Sequence, residues 1–96
     1  MARRIVWTEP AVEDLEAAAR YIATDSPRYA AAVVSEAQEA ARSLKRFAER
    51  GRIVPEFEDP TLRELFVRSF RLIYRIAVDA VYVLGFIHAA RDIRRV

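Results

Sequence analysis

The sequence contains no cysteine, which excludes disulfide bonds and thiolate metal sites. It also contains only one histidine and one lysine, so few side chains are available for acid–base chemistry. No apolar run approaches the roughly 20 residues that span a bilayer, and the N-terminus does not resemble a signal peptide. These absences favour a cytoplasmic protein that does not contact the membrane. Nothing in the sequence predicts a cofactor or a bound metal.

The 96 residues are 53% hydrophobic and 31% charged, as is typical of a globular chain with a modest core. We therefore expect one domain over residues 1–96. Its charge is unevenly distributed. Residues 1–59 carry nine basic and eleven acidic side chains, whereas residues 60–96 carry seven basic and three acidic ones. All the cations except Lys45 are arginine, the better bidentate partner for carboxylate or phosphate.

Two capping signals organise the first half of the chain. After a short predicted strand at residues 3–7, Thr8 begins a helical pattern that extends to about residue 24. Ser26 repeats the signal and begins a second helix to about residue 50, where Gly51 would end it. Each cap is followed by a proline in the first helical turn. The pattern predicts an antiparallel helical hairpin.

The second half is predicted to be β-structure. A loop rich in acidic residues and proline covers residues 51–60 and precedes three strands at about 63–67, 70–78 and 81–88. The predicted fold class is α+β. In it, an N-terminal short strand and a two-helix hairpin pack on one face of a small antiparallel sheet.

The last two strands contain the most informative pattern. A two-residue turn at Asp79-Ala80 would set Arg71 opposite His88 and Tyr74 opposite Gly85. The helix-covered face would then carry Phe70, Leu72, Tyr74, Ile76, Val78, Val81, Val83 and Ile87. The opposite face would carry Arg71, Ile73, Arg75, Tyr82, Leu84, Phe86 and His88.

That second face is unusually apolar for a surface that should meet water, and it is rimmed by arginine. A covering tail or first strand, a homodimer or another partner would explain it. An arginine beside the one histidine could alternatively bind or cleave a phosphodiester. We expect Arg91 and Asp92 to pair and hold the tail.

Three segments together resemble the RelE/ParE superfamily of toxins from bacterial type II toxin–antitoxin systems. VWTEPAVEDLEAAARYIATDSP is similar to the family's first strand and helix. GRIVPEFEDPTLRELFVRSFRLIYRI resembles its Gly-Arg-x-Val-Pro-Glu loop and arginine–tyrosine strand. FIHAARD resembles its closing His-Gly-x-Arg-Asp. The resemblance implies a growth-inhibiting toxin, neutralised by a cognate antitoxin, that reaches operator DNA only through that antitoxin. The partner-binding residues would be Arg71, Ile73, Arg75, Leu84, Phe86 and Arg91.

The superfamily divides by target. Members similar to ParE inhibit DNA gyrase, whereas RelE-like members cleave mRNA, on the ribosome or free. For the second activity the resemblance implies Arg71, His88 and Glu56 as catalytic residues. Two departures favour the ParE-like and plasmid-stabilisation side: the lone Lys45 lies in a helix, and Ala89 follows His88 where histidine-using nucleases have an aromatic residue.

Overall fold

The computed structural model describes residues 2–91. In chain order the elements are β1 (Arg4–Trp7), α1 (Glu9–Ala23), α2 (Pro27–Ser43), a 3₁₀ turn (Ala48–Arg50), β2 (Arg52–Ile53), β3 (Leu62–Val67), β4 (Phe70–Ile76) and β5 (Ala80–His88). The strands form one sheet in the order β1-β5-β4-β3-β2. Only β1 pairs in parallel, with β5, and the other pairs are antiparallel. The predicted α+β class is confirmed.

The helices begin at the predicted caps. The Thr8 hydroxyl accepts a hydrogen bond from the backbone N–H of Ala11, and Ser26 does the same for Tyr29. The second helix, however, ends at Ser43 rather than near residue 50. The chain turns there because buried Leu44 packs into the core, and a separate 3₁₀ turn follows.

The core lies between the helical hairpin and one face of the sheet. Buried alanines on both helices let them approach closely, and larger side chains from the strands fill the layer beneath. Its buried members include Leu15, Val33, Ala37, Ala41, Leu44, Leu65, Leu72, Tyr74, Val83 and Phe86.

A β-bulge in β5 changes the predicted pairing of the last hairpin. Tyr74 pairs with Val83 and Ile73 with Gly85, so Leu84 is an extra residue without a partner. The turn also lies one residue earlier than predicted, around Val78 and Asp79, where the N–H of Ala77 donates to the Ala80 carbonyl at 2.8 Å. The predicted pairing of Arg71 with His88 is therefore wrong: Arg71 faces Ile87, and His88 faces Phe70.

The bulge also exchanges the faces of the residues that follow it, because one added residue inverts the alternation. Phe86, predicted on the exposed face, is buried beneath the helices and stacks on Phe70 with 4.8 Å between ring centroids. Ile87, predicted beneath the helices, packs on the opposite face. Val78, also predicted there, lies in the loop and is 92% exposed.

Helix α1 stabilises the bulged strand. β1 ends where Trp7 pairs with Val83, so the rest of β5 has no strand on that side. There the N–H of Phe86 donates to the Asp14 carboxylate at 3.1 Å. Because Asp14 supplies an acceptor where a strand would have supplied a carbonyl, the bulge keeps its backbone hydrogen bonding.

Within residues 2–91, neither helix combines the length and apolar character needed to cross a membrane.

Candidate functional site

The sheet face opposite the helices, called here the open face, carries Arg71 at the centre of a group of charged side chains. Arg71 extends from β4, and Glu64 and Arg52 extend from the neighbouring β3 and β2. Glu56 comes from the loop between β2 and β3. We call these four residues the arginine–glutamate cluster.

Arg71 is 4% exposed and its guanidinium is bound on all sides. Its Nη1 and Nη2 donate to the two oxygens of Glu56 at 2.9 and 2.8 Å, a bidentate arrangement. Its Nε donates to Glu64 at 2.6 Å, and Nη1 also donates to the carbonyl of Arg91 at 2.6 Å. The side chain therefore joins β3, the preceding loop and the end of the described chain.

Glu64 completes the cluster from within the sheet. Its side chain is fully buried, and each of its oxygens accepts from one arginine: Oε1 from Arg71 and Oε2 from Nε of Arg52 at 2.5 Å. Two cations and two anions make the cluster neutral. A buried charge is tolerated only when it is paired, so these residues form one interdependent unit.

The electrostatics keep Arg71 charged. Hydrogen bonds with Glu56 raise the pKa of Arg71, burial opposes the rise, and the hydrogen bond with Glu64 adds to it. The guanidinium is therefore a fixed cation whose charge is balanced by its neighbours.

His88 lies apart from this cluster. It is exposed on the helix side of β5, where its ring meets the edge of Phe70 at 6.0 Å between centroids. Its Nδ1 accepts a hydrogen bond from the N–H of Ala90 at 3.3 Å. Of the residues predicted as catalytic, the fold brings Arg71 and Glu56 together and puts His88 on the other side of the sheet.

The loop between β2 and β3 covers part of the open face, an arrangement that the sequence analysis did not anticipate. Val54 and Leu62 pack with Ile73, Leu84 and Ile87 in a second apolar cluster. The loop folds back on itself because the N–H groups of residues 57 and 58 both donate to the Val54 carbonyl.

Beside this second cluster lies an open-face cavity of about 420 Å³. Its walls include Ile73, Arg75 and Leu84, three of the residues predicted to bind a partner. The other three do not line it: Arg71 belongs to the arginine–glutamate cluster, Phe86 is in the core, and Arg91 contributes its carbonyl to Arg71. The predicted Arg91–Asp92 pair involves Asp92, which lies outside the described residues.

Glu64 is the member of the arginine–glutamate cluster that the sequence analysis missed. A signal was present. The predicted strands at 63–67 and 70–78 leave a two-residue turn, which places Glu64 on the same face as Arg71 and one diagonal step away. The contribution of Glu56 was harder to foresee, because it depends on how the loop folds over the sheet. Across residues 2–91 no group of three or more His, Asp or Glu side chains is arranged to bind a metal ion.

Known proteins resemble this chain in sequence and in fold. The family described as the ParE toxin of the type II toxin–antitoxin system parDE matches residues 5–93. Toxin RelE2 of Caulobacter vibrioides is 37% identical over 89 residues, which are 92% of this chain and 97% of that protein.

Two solved structures have the same fold. The toxin–antitoxin complex RelBE2 from Mycobacterium tuberculosis has a TM-score of 0.61 and 25% identity, covering 92% of this chain and 99% of the matched one. The chromosomal ParDE system from P. aeruginosa has a TM-score of 0.73 and 24% identity, covering 91% and 96%. With the family match over almost the whole chain, these likenesses identify the chain as a member of the ParE toxin family of type II toxin–antitoxin systems.

Proposed function

We propose that this toxin inhibits growth by binding DNA gyrase, and that it does so without cleaving RNA. The proposal rests on the hydrogen bonds that already occupy the guanidinium of Arg71. A nuclease arginine must direct free N–H groups at a phosphate, whereas this guanidinium donates to two carboxylates and a carbonyl. A phosphate could bind its N–H groups only by displacing Glu56, Glu64 or the Arg91 carbonyl.

The positions of the other candidate groups also favour a binding protein. His88 is across the sheet from Arg71, so the two cannot act together on one phosphodiester. The only lysine, Lys45, follows α2 and is remote from the open face. Neither His88 nor Lys45 is therefore among the side chains that bind Arg71 on the open face.

The toxin's activity would be controlled by a cognate antitoxin, the partner named with both solved relatives. The open-face cavity supports a protein contact there, because Ile73 and Leu84 offer apolar surface beside the charged head of Arg75. Arg75 is half-exposed and held by Asp59 and Thr61, so it is already oriented at the rim.

Induced expression without antitoxin tests the proposal in cells. We expect filamentation and the DNA-damage response, while bulk mRNA stays intact. Rapid mRNA cleavage within minutes of induction would favour the alternative, a RelE-like endoribonuclease that uses Arg71, His88 and Glu56.

His88→Ala separates the two hypotheses at one residue. His88 is exposed, its ring lies at the edge of Phe70, and its Nδ1 accepts from one backbone N–H. We therefore expect the variant to fold normally and remain fully toxic. Growth after induction measures toxicity, and circular dichroism melting measures folding. A folded but harmless His88→Ala protein would support the nuclease instead.

A further inference from the structure

The arginines of the β3–β4 region, where the sequence concentrates basic charge, are all bound within the protein. Arg68 pairs with Glu36, Arg71 with Glu56 and Glu64, and Arg75 with Asp59. Arg63 donates to backbone carbonyls. The four arginines of β3, β4 and the turn between them are therefore already engaged within the protein.

A second group of cations surrounds the C-terminal end of α2. Arg42, Lys45, Arg46 and Arg50 are exposed, and none of them forms an ion pair with any residue in the range 2–91. The backbone N–H of Arg3 donates to the carbonyl of Lys45 at 2.9 Å, which brings the start of the described chain into the same group. We call these five residues the basic end.

Two shallow clefts give the basic end its shape. One, of about 400 Å³, has Arg42 and Lys45 in its wall. The other, of about 510 Å³, is bordered by Arg3, Arg46 and Arg50. Among the described residues that line either cleft, Glu49 is the only one with a carboxylate. The result is a predominantly basic surface that faces solvent.

We propose that the basic end binds the phosphate backbone of duplex DNA. Cations that form no ion pair among the described residues are suited to phosphates, since binding a phosphate backbone releases condensed counterions and needs no base-specific geometry. Within the basic end, Arg3 Nε donates to the Ala77 carbonyl and Arg50 Nη1 donates to the Ser43 hydroxyl, but neither cation is neutralised by a carboxylate.

Single-stranded nucleic acid would need a row of aromatic side chains for stacking, and Phe47 is the only exposed aromatic residue lining the two clefts. An acidic protein segment would also need apolar anchors. Ile5 and Trp7 supply some at the first cleft, but the second cleft, which holds three of the five cations, offers little beyond Phe47.

Phosphate binding by the basic end would add to any recognition of DNA sequence by the antitoxin. The inference holds whether or not gyrase is the toxin's target. It predicts that the toxin alone has weak, sequence-independent affinity for DNA. With about four or five phosphate contacts, the dissociation constant at physiological salt should be on the order of 10⁻⁴ to 10⁻⁶ M. The measurement is therefore best made at reduced salt.

Fluorescence anisotropy with a short labelled duplex of arbitrary sequence tests the inference over a series of salt concentrations. The double variant Lys45→Ala/Arg46→Ala removes two cations without touching the core. We expect its affinity to fall roughly tenfold at low salt. The slope of log K against log salt should also shrink by about 1.8.

Arg20→Ala/Arg28→Ala is the matched control. It removes the same charge from two exposed helical arginines outside the basic end, neither of which forms an ion pair with another described residue. Its affinity should stay within about twofold of the wild type. Equal losses in the two double variants would mean that net charge alone drives binding, and would overturn the proposal.

Two further probes exclude other occupants. An unlabelled single strand and poly-glutamate are each added as competitors to the labelled duplex. Two outcomes would overturn the assignment to duplex DNA. In one, the single strand competes more strongly than unlabelled duplex. In the other, poly-glutamate displaces the labelled duplex at a lower concentration of charges than unlabelled duplex needs. Weaker competition by both supports it.

Discussion

Arg71 shows how much the meaning of one residue depends on its surroundings. From the sequence it could be a phosphate ligand, a partner contact or a solvated strand arginine. Its position on the open face is confirmed, but its burial could not be foreseen. Burial is caused by Glu56, on a loop whose path a strand pattern does not specify, and by the end of the described chain at Arg91.

Removing Arg71 should be costly, because it leaves the buried carboxylates of Glu64 and Glu56 without their shared cation. We expect Arg71→Ala to lower the free energy of unfolding by about 3–5 kcal/mol, as measured by urea denaturation at pH 7. Arg71→Lys keeps the charge but loses the bidentate geometry, so its loss should be smaller.

Arg75→Ala is the control for Arg71, since it removes an arginine from the same strand and face but from a half-exposed ion pair. Its stability should stay close to the wild type. If Arg71→Ala were equally mild while abolishing toxicity, Arg71 would be a functional group and not a structural one.

At the scale of secondary-structure elements, hydrophobic periodicity predicted the two helices and β3–β5 well, because their caps and alternation are local properties. It missed β2, which is two residues long, and the bulge at Leu84. The bulge depends on the Asp14 carboxylate of a distant helix, so no local pattern around residue 84 could reveal it. Every wrong face assignment on β5 follows from that one extra residue.

The segment after α2 is held to the sheet by Tyr74. Its hydroxyl donates to the Ala48 carbonyl at 2.7 Å and accepts from the N–H of Gly51 at 3.0 Å, and burial raises the pKa of Tyr74, which keeps the phenol neutral. We expect Tyr74→Phe to cost about 1–3 kcal/mol, since it leaves these buried backbone groups unpaired. Urea denaturation measures the loss.

Gly51→Ala tests the contact between Gly51 and the Tyr74 ring by changing the glycine instead of the tyrosine. A methyl group there would lie 2.5 Å from the Tyr74 hydroxyl oxygen and 2.6 Å from the Glu64 carbonyl oxygen. We expect a loss of about 1–3 kcal/mol or more that persists in a Tyr74→Phe background, because the backbone clash remains. Full rescue by Tyr74→Phe would contradict this reasoning.

The β3–β4 turn is fastened to α2 by Arg68, which adopts a positive φ of 55° and holds Glu36 through two hydrogen bonds. The hydrogen bond with Arg68 lowers the pKa of Glu36 in the folded state. The pair therefore stabilises the fold above about pH 4.3, the ordinary glutamate value, and this contribution is lost as the pH falls through the lower folded value.

Glu36→Gln should consequently melt at a lower temperature than the wild type at pH 7. The difference should disappear at a pH below the folded-state pKa of Glu36. Glu39→Gln, on the exposed surface of the same helix and without an ion pair among the described residues, is the control and should show no such pH dependence. A pH-independent difference for Glu36→Gln would show that lost packing, and not charge, is responsible.

At the scale of the whole molecule, the sequence predicted the fold class and the toxin family, because three separated segments carry the family's motifs in order. It could not predict which charges are available. Counting along the chain put the basic surplus after residue 60, yet folding pairs Arg68, Arg71 and Arg75 with carboxylates. It also leaves Arg42, Lys45, Arg46 and Arg50 together at one end of the molecule. The charge that a partner can bind therefore depends on which side chains form ion pairs in the folded protein.

The central claim is that the toxin acts by binding gyrase and not by cutting RNA. Its most direct test is a supercoiling assay with purified gyrase and purified toxin, run beside an mRNA cleavage assay on the same preparation. Supercoiling should fall as toxin is added, and the mRNA should stay intact. Unimpaired supercoiling with cleaved mRNA would contradict it.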